Sequence, residues 1–316
     1  MKSMKIYPFV SVVVVSYNRK NWLEKILPPI RSLNYPKDRY EVVVVDNNST
    51  DGSVEYLKQL KWIRLIRMDK NYGASIGKNV GIEKSKGDYL YFVDSDVILN
   101  KNSLTELVKV AESDEKIGIC GSKIIDMDGD EIISKSGGDF LNIFGILIHR
   151  GMKKRNLKDL EKKEDVFSFP SCSILVRRKA IEKLKYYFDT SYFIYYEDID
   201  FCWRVRLLGY RLVYVPASVA CHRTDKHGKD INPLTIYRTY RNKLWSFRKN
   251  FRFPIKQLML MNVSISMLFG ILYWAYKGKW KYGIVIFRHL FDSVNDDVDL
   301  SKVPLKRQIG FISLKF

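Results

Sequence analysis

Apolar residues fall into short, near-continuous blocks over the first hundred positions, and each block gives way to polar or acidic residues. The blocks at 9–16, 41–45 and 88–93 are rich in valine and aromatic residues and too short for helices. They read as strands buried on both faces, since a half-exposed strand would alternate apolar with polar residues. Between them the spacing turns helical. Residues 21–33 form one predicted helix, which Pro28 and Pro29 must kink or break. Asp51-Gly52-Ser53 turns the chain into a second helix ending near Leu60, residues 63–67 form a short strand, and 71–84 are helical after their first turn. This alternation predicts an α/β fold: a Rossmann-like, mostly parallel central sheet with helices on both faces.

Beyond residue 100 the pattern is looser. A helix is expected at 102–112 and a strand at 118–125. Residues 126–167 differ: Asp128-Gly129-Asp130 and Gly137-Gly138 signal turns, and 153–164 is densely charged, so the segment reads as a surface excursion of hairpin and loop, suited to a lid or acceptor contact. A strand at 171–177 leads into a helix at 178–185. Another helix at 198–208 closes on Gly209, which suits a left-handed C-cap, and a strand follows at 211–215. The expected organisation is a tail at 1–8, a catalytic unit at 9–223 and a helical, basic and apolar region at 224–316.

Charge changes the picture of that last region. Of the net +19, residues 223–316 contribute 18 Lys/Arg against 6 Asp/Glu. Arg238, Arg241, Lys243, Arg248, Lys249, Arg252 and Lys256 form a run with no acid, which alone suits nucleic acid or an anionic lipid surface equally well. The next stretch favours lipid. Residues 258–276 are nineteen uncharged positions, with Lys256 before them and Lys277, Lys279 and Lys281 after. That length barely spans a bilayer, and Asn262, Ser264 and Ser266 weaken a spanning role. A re-entrant helix, a helix lying in the interface and an ordinary core helix pair all stay open. A second apolar stretch at 282–287 is too short to span. The four cysteines (Cys120, Cys172, Cys202, Cys221) show no CxxC or zinc spacing, which favours a reducing compartment, and the N-terminus lacks the pattern of a signal peptide.

The most informative chemistry ends the third block. Tyr89-Leu90-Tyr91-Phe92-Val93-Asp94-Ser95-Asp96 is a buried strand tipped by two carboxylates one residue apart. Ligands bind at the carboxyl edge of open α/β sheets. Two acids so close repel unless a cation lies between them, so Mg²⁺ or Mn²⁺ holding phosphate oxygens is the natural occupant. A capped, solvent-facing turn is the alternative.

Four motifs in order carry a resemblance: Val-Ser-Tyr-Asn-Arg at 15–19, Val-Asp-Asn-Asn-Ser-Thr-Asp-Gly-Ser at 45–53, Asp-Ser-Asp at 94–96 and Glu-Asp-Ile-Asp at 197–200. Asn71-Tyr72-Gly73 with Gly77, Lys78 and Asn79 adds a fifth. Over residues 9–223 the chain resembles the family 2, GT-A class of nucleotide-sugar glycosyltransferases. The likeness is nearest to rhamnosyltransferase-like members that build cell-surface polysaccharides and lipid-linked glycans.

The resemblance implies a role for each motif. Asp46 would accept the N3–H of uracil or thymine, beside the bland role of helix cap. Ser16, Tyr17 and Asn18 would wall the base, while Asp51-Gly52-Ser53 suits a turn and cap better than ligand contact. Asn71, Gly73, Gly77 and Lys78 would approach the donor, Lys78 as a phosphate counterion or simply a solvated side chain. Asp96 would bind the metal directly, and Asp94 the ribose or a metal-bound water, with Ser95 between them in the donor set. His222 would complete the metal site and tilt it from Mg²⁺ toward Mn²⁺. His149 and His227 read as structural or incidental. Asp198, kept charged by a helix N-terminus, would be the catalytic base of an inverting transfer, with Glu197 positioning it or binding the acceptor. Asp200 suits a helix-supporting role, and all three acids as plain N-terminal acids is the alternative.

The donor would be a UDP- or dTDP-sugar. The acceptor would be a polysaccharide or a polyprenyl- or dolichyl-linked glycan met at the cytoplasmic face of an anionic membrane, with no nucleic acid as partner. Tyr240-Arg241-Asn242 matches a pattern that helps cover the active site in such relatives. A metal-dependent nucleotidyltransferase and a non-catalytic basic nucleic-acid or membrane-binding protein are the rival readings. The first would show a Gly-rich basic loop after the first strand, where Ser16-Tyr17-Asn18-Arg19-Lys20 offers only the charges.

Overall fold

The structure is a computed structural model that describes residues 7–128, 131–142, 145–151, 158–223, 233–252, 255–289 and 312–313. The expected strand–helix succession is present. It runs β1 (Val10–Ser16), α1 (Lys20–Arg31), β2 (Tyr40–Asp46), α2 (Ser53–Gln59), β3 (Arg64–Arg67), α3 (Gly73–Glu83) and β4 (Tyr89–Asp94). β1 pairs in parallel with both β2 and β4, and β2 with β3. Helix α1 keeps both prolines in its last turns and stays helical to Arg31, where the Ser32 N–H bonds back to the Pro28 and Pro29 carbonyls.

Past β4 the sheet becomes mixed. β5 (Val97–Leu99), α4 (Ser103–Ala111), β6 (Ile117–Asp128) and β7 (Glu131–Ser136) follow. Next come β8 (Asp139–Asn142), β9 (Leu147–His149), β10 (Glu164–Asp165), β11 (Ser173–Arg177), α5 (Arg178–Ile181), α6 (Glu197–Leu207) and β12 (Arg211–Arg223). The strand order is β10-β12-β6-β11-β4-β1-β2-β3. β11 runs antiparallel to both β4 and β6, while β12 and β6 are parallel. The parallel half is the half built from short helical crossovers. β11 is reached through the 126–167 excursion, and that long connection lets it enter reversed.

Side chains alternate across the sheet. Val10, Val12 and Val14 face a core closed by Leu23, Ile26 and Ile30 of α1, Leu57 of α2 and Leu104 and Leu107 of α4. Val13, Leu90 and Phe92 face the other side, closed by Ile82 of α3, Ile181 of α5 and Phe201 and Val205 of α6. Strands buried on both faces therefore explain the unbroken valine runs.

Two expected boundaries move. The helix expected at 178–185 stops at Ile181, and the strand expected at 211–215 continues to Arg223. Its register shifts between Val215 and Val219, around Pro216, which cannot donate to a ladder. That irregularity hid the half of the strand that carries His222. The 126–167 excursion also lies deeper than a surface loop. β7 adds to the sheet beside β6, while Asp139, Leu141 and Phe167 are buried. The charged stretch from 153 and the Gly129-Asp130 turn lie largely or wholly outside the described residues.

The C-terminal region supplies α7 (Pro233–Asn250), α8 (Ile255–Tyr276), α9 (Trp280–His289) and β13 (Ile312–Ser313), which pairs with β8. These helices share a core with the sheet unit. Leu141, Phe167, Trp203 and Leu207 pack with Ile236, Leu244, Phe247, Phe251, Met259, Val263 and Met267. Trp203 lies edge-on to Phe167, Phe247 and Phe251.

Candidate active site

The parallel pairing sets Ser16 level with Asp46, and Val15 level with Asp94. Three strand ends thus deliver their polar residues to one edge. A cavity of about 480 Å³ opens there, lined by Ser16, Tyr17, Arg19, Asn47, Asn71, Gly73, Lys78, Asp94, Ser95, Asp96, Ser171, Glu197, Asp198 and Arg238, among others. Residues far apart in the chain meet because the crossovers return each strand in the same direction.

Most of the expected site residues line this cavity, but several do so differently from expectation. Tyr17 stands at the mouth, 45% exposed. Asn18 points elsewhere: its side chain accepts from Thr50 N (2.8 Å), and its own N–H reaches Ser49 Oγ (2.9 Å). Asp46 is wholly buried at the end of β2. Oδ2 accepts Ser49 N–H at 2.9 Å, and Oδ1 has no partner, like the buried Ser16 Oγ and Asn47 Oδ1 beside it. Such unmet acceptors are costly to bury unless a ligand supplies donors. Gly73, at φ +83°, does give close backbone approach, but to Phe193: a Cβ there would meet the Phe193 carbonyl oxygen at 2.3 Å. Asn71 Oδ1 accepts the Gly73 N–H at 2.9 Å and holds that turn.

Lys78 is not a solvated side chain. Its ammonium is buried and donates to Glu197 Oε1 (2.9 Å) and to Ser171 Oγ. Burial would strip its proton, but the charges of Glu197, Asp94 and Asp198 outweigh burial and keep it cationic. Glu197 Oε2 is left buried without a partner. Asp198 accepts N–H bonds from Ser171 (3.1 Å) and Ile199 (2.8 Å). Burial and the neighbouring Glu197 nevertheless push its pKa up to about 7, so the helix N-terminus loses to desolvation. Asp200 has a different fate. It is fully buried and bound by Arg204 (2.8 Å), Lys249 (3.2 Å) and Asn250 (2.9 Å), which tie α6 to α7 and hold its carboxyl below the usual range against burial.

Burial raises the pKa of Asp94, with Lys78 opposing. Asp96 lies 3.5 Å from His222 Nε2, and the other ring nitrogen meets Asp126 Oδ1 at 3.1 Å. Those bonds, Asp126 first, push the His222 pKa up to about 10. Among the described residues no three His, Cys, Asp or Glu side chains form a ready-made metal cluster. The donor set still fits a divalent cation. Asp94 and Asp96 line the cavity, the His222 Nε2 lies beside Asp96, and Asp126 on the other ring nitrogen fixes how the imidazole is turned.

Asp126, Asn47, Ser171 and Arg238 escaped the sequence reading. Asp126 and Asn47 had a local signal, a polar residue just past a strand end. Arg238 was read as part of a surface run, yet it lines the cavity with its guanidinium 4.3 Å from the Phe193 ring. Lys249 of the same run is buried between Asp189 and Asp200. Lys243 is largely enclosed too, and burial lowers its pKa to about 8. His149 is paired with Asp139 at 2.6 Å, in keeping with a structural role, and His227 lies outside the described residues.

Residues 11–185 match the family described as Glycosyl transferase family 2. The chain belongs to that family. Its fold is GT-A-like, and the family's enzymes transfer sugars from nucleoside-diphosphate donors, which removes the nucleotidyltransferase and non-catalytic readings. Among curated relatives, glycosyltransferase AglE of Haloferax volcanii is 25% identical over 278 residues, covering 86% of this chain and 81% of AglE. Rhamnosyltransferase WbbL of Escherichia coli is 23% identical, covering 83% of this chain and 98% of WbbL. Some relatives are longer, and the chain spans 51% of a probable glycosyltransferase, YdaM, of Bacillus subtilis. Among solved structures, mannosyltransferase PcManGT of Pyrobaculum calidifontis, in complex with GDP-Man and Mn²⁺, superposes with a TM-score of 0.59. The match is at 18% identity and covers 92% of this chain and 89% of that one. At that identity the likeness concerns the fold.

Proposed function

We propose that this family 2 glycosyltransferase inverts the anomeric centre as it moves a sugar from a UDP- or dTDP-donor to an acceptor hydroxyl. One observation carries the reading. The buried Asp198 carboxylate, its proton affinity raised by burial and by Glu197, shares a cavity with the acid-tipped end of β4 and with the unmet acceptors of Ser16 and Asn47.

Asp46 Oδ1 accepts the N–H of the base edge, and Ser16, Tyr17 and Asn47 wall it. Asp96 and the Nε2 of His222 would hold Mn²⁺ or Mg²⁺ with Asp94, and Asp126 keeps the imidazole turned. The bound ion would offset the charge gathering on the departing pyrophosphate, so no side chain need protonate it. Asp198 takes the proton from the acceptor hydroxyl as that oxygen attacks C1 from the face opposite the nucleotide. Glu197 is pinned by Lys78 through one oxygen and presents the other to a sugar hydroxyl. Ser171 steadies both: its hydroxyl accepts from Lys78 and its N–H donates to Asp198. The expected unit at 9–223 then houses the chemistry.

The acceptor is a lipid-linked glycan or a polysaccharide, in a rhamnosyltransferase-like role at the cytoplasmic face of the cell membrane. The likeness to rhamnosyltransferase WbbL and the apolar helix α8 support this part. The test is a panel of nucleotide sugars with Mn²⁺, scored by release of the nucleoside diphosphate. One donor should be turned over by the wild type and not by Asp198→Asn. Equal turnover by that variant would refute the assignment of the base.

A further inference from the structure

Among the described residues no other element packs on the outer face of α8 and α9, and its pattern identifies what covers it. α8 is long and apolar enough to cross a bilayer, about 33 Å at 1.5 Å per residue. α8 is apolar on both sides, and one of them is held against the sheet unit's core, where a crossing helix would have to leave that unit to meet lipid. Met259, Val263 and Met267 are buried on the sheet unit's core, with Ile271 and Trp274 packed beside them. Gly270 lies so close to α7 that a Cβ would meet Tyr240 Oη at 2.7 Å. The opposite side exposes Leu258, Met261, Ile265, Leu268, Phe269 (68%), Leu272 (64%), Tyr273 and Tyr276, and Trp280 and Ile284 extend it onto α9.

Charge completes the pattern. Residues 231–291 contain eleven Lys/Arg and no Asp or Glu, with Lys256 at one end of α8 and Lys277, Lys279 and Lys281 at the other. A second copy docked on this face would bring these lysines against like charges. Anionic headgroups would meet them as counterions.

We infer that α8 and α9 dock in the plane of an anionic lipid surface, the apolar side sunk to the headgroup boundary and the lysines at its rim, without crossing. This deepens the membrane reading above and does not depend on the sugar chemistry. Full-length protein should float with phosphatidylglycerol-containing vesicles, less at high salt, and weakly with pure phosphatidylcholine. Phe269→Glu/Leu272→Glu should cut vesicle binding at least tenfold while donor turnover with a soluble acceptor stays within twofold. Cysteines introduced at Lys256 and Lys279 should both react with an impermeant maleimide added outside sealed vesicles. Protection of one end would overturn the in-plane geometry. Binding unchanged by the double substitution would overturn the docking face. Loss of self-association in place of lipid binding would assign the face to a second copy and refute the proposal.

A separate observation concerns the loop before the two acids. Tyr195 (φ 71°) and Tyr196 (φ 67°) are consecutive non-glycine residues in the left-handed region, a strained arrangement that persists only where surroundings hold it. Asn242 of α7, fully buried, holds it by donating from Nδ2 to the carbonyls of Ile194 (3.0 Å) and Tyr195 (2.7 Å). Tyr196 is the residue from which α6 starts, so this turn aims Glu197 and Asp198 into the cavity. We propose Asn242 as a positioning residue for the Asp198 carboxylate.

Asn242→Ala should lower kcat by ten- to a hundredfold and leave donor KM within about twofold. Tyr195→Gly, which relieves the strain at a partly exposed position on the cavity rim, should restore part of that kcat when combined with it. A purely structural role predicts a loss of active fraction that glycine does not restore. That result, or an unchanged kcat in the folded single variant, would overturn the proposal. Should Asn242→Ala not fold, Asn242→Asp replaces it, with its donor lost and its shape kept.

Discussion

The β1–β2–β4 edge and the α7–α9 region both concentrate unusual composition, yet they distribute it by opposite rules. At the sheet edge every chemically informative residue sits just beyond an apolar run, and the parallel register brings Ser16, Asp46 and Asp94 to the same rim. In the helical region, residues of one type separate by direction. Lys249 is sealed in a pair with Asp189 and Asp200, Arg238 reaches the cavity, and Lys256 stays near the end of α8. Trp203 and Phe269 differ likewise: the first is at the centre of the seam and the second faces outward. Strand ends turn sequence position into spatial position, whereas helix faces divide neighbouring residues between core, site and surface.

The largest effect that would test this contrast is at the edge. Asp198→Asn should reduce kcat by about 10²–10⁴, the range of a general base, with nucleotide binding preserved by calorimetry. Equal loss of binding would move Asp198 from proton transfer to donor recognition. Next in size is the seam. Trp203→Ala should cost about 3–5 kcal/mol of unfolding free energy in denaturant titration. Retained stability would mean that the helices do not share the sheet unit's core.

A pH profile probes the cavity more gently. Asp198 works only when deprotonated, and burial raises its pKa to about 7. kcat/KM should therefore climb with pH up to about 7 and fall roughly tenfold per unit below it. A limb near 4 would show a carboxylate open to solvent. The smallest effect is expected outside: Phe269→Ser should alter solution stability by less than about 0.5 kcal/mol, and a larger loss would put this ring inside a contact.

Much of the edge was legible before the fold was known. Unbroken valine runs required strands covered on both sides, and the residues that ended those runs had to lie where ligands bind. What was misread involved partners distant in the chain. Lys78 is plain lysine in sequence, and only α6 crossing over it supplies Glu197. Asn18 resembles a ligand residue until Ser49 and Thr50 engage it. The His222 strand was truncated at Pro216 because its pairing with β6, bulge included, is not local information.

The amino-acid order by itself determined the strand–helix alternation, the acids at the strand ends, and the two features of the C-terminal region, basic and apolar. It did so because these follow from side-chain periodicity over a few residues. Tertiary structure decided which acids stay charged, which lysine is a counterion, and which side of α8 faces outward. Those depend on desolvation and on partners a hundred residues away, neither of which a single stretch of chain contains.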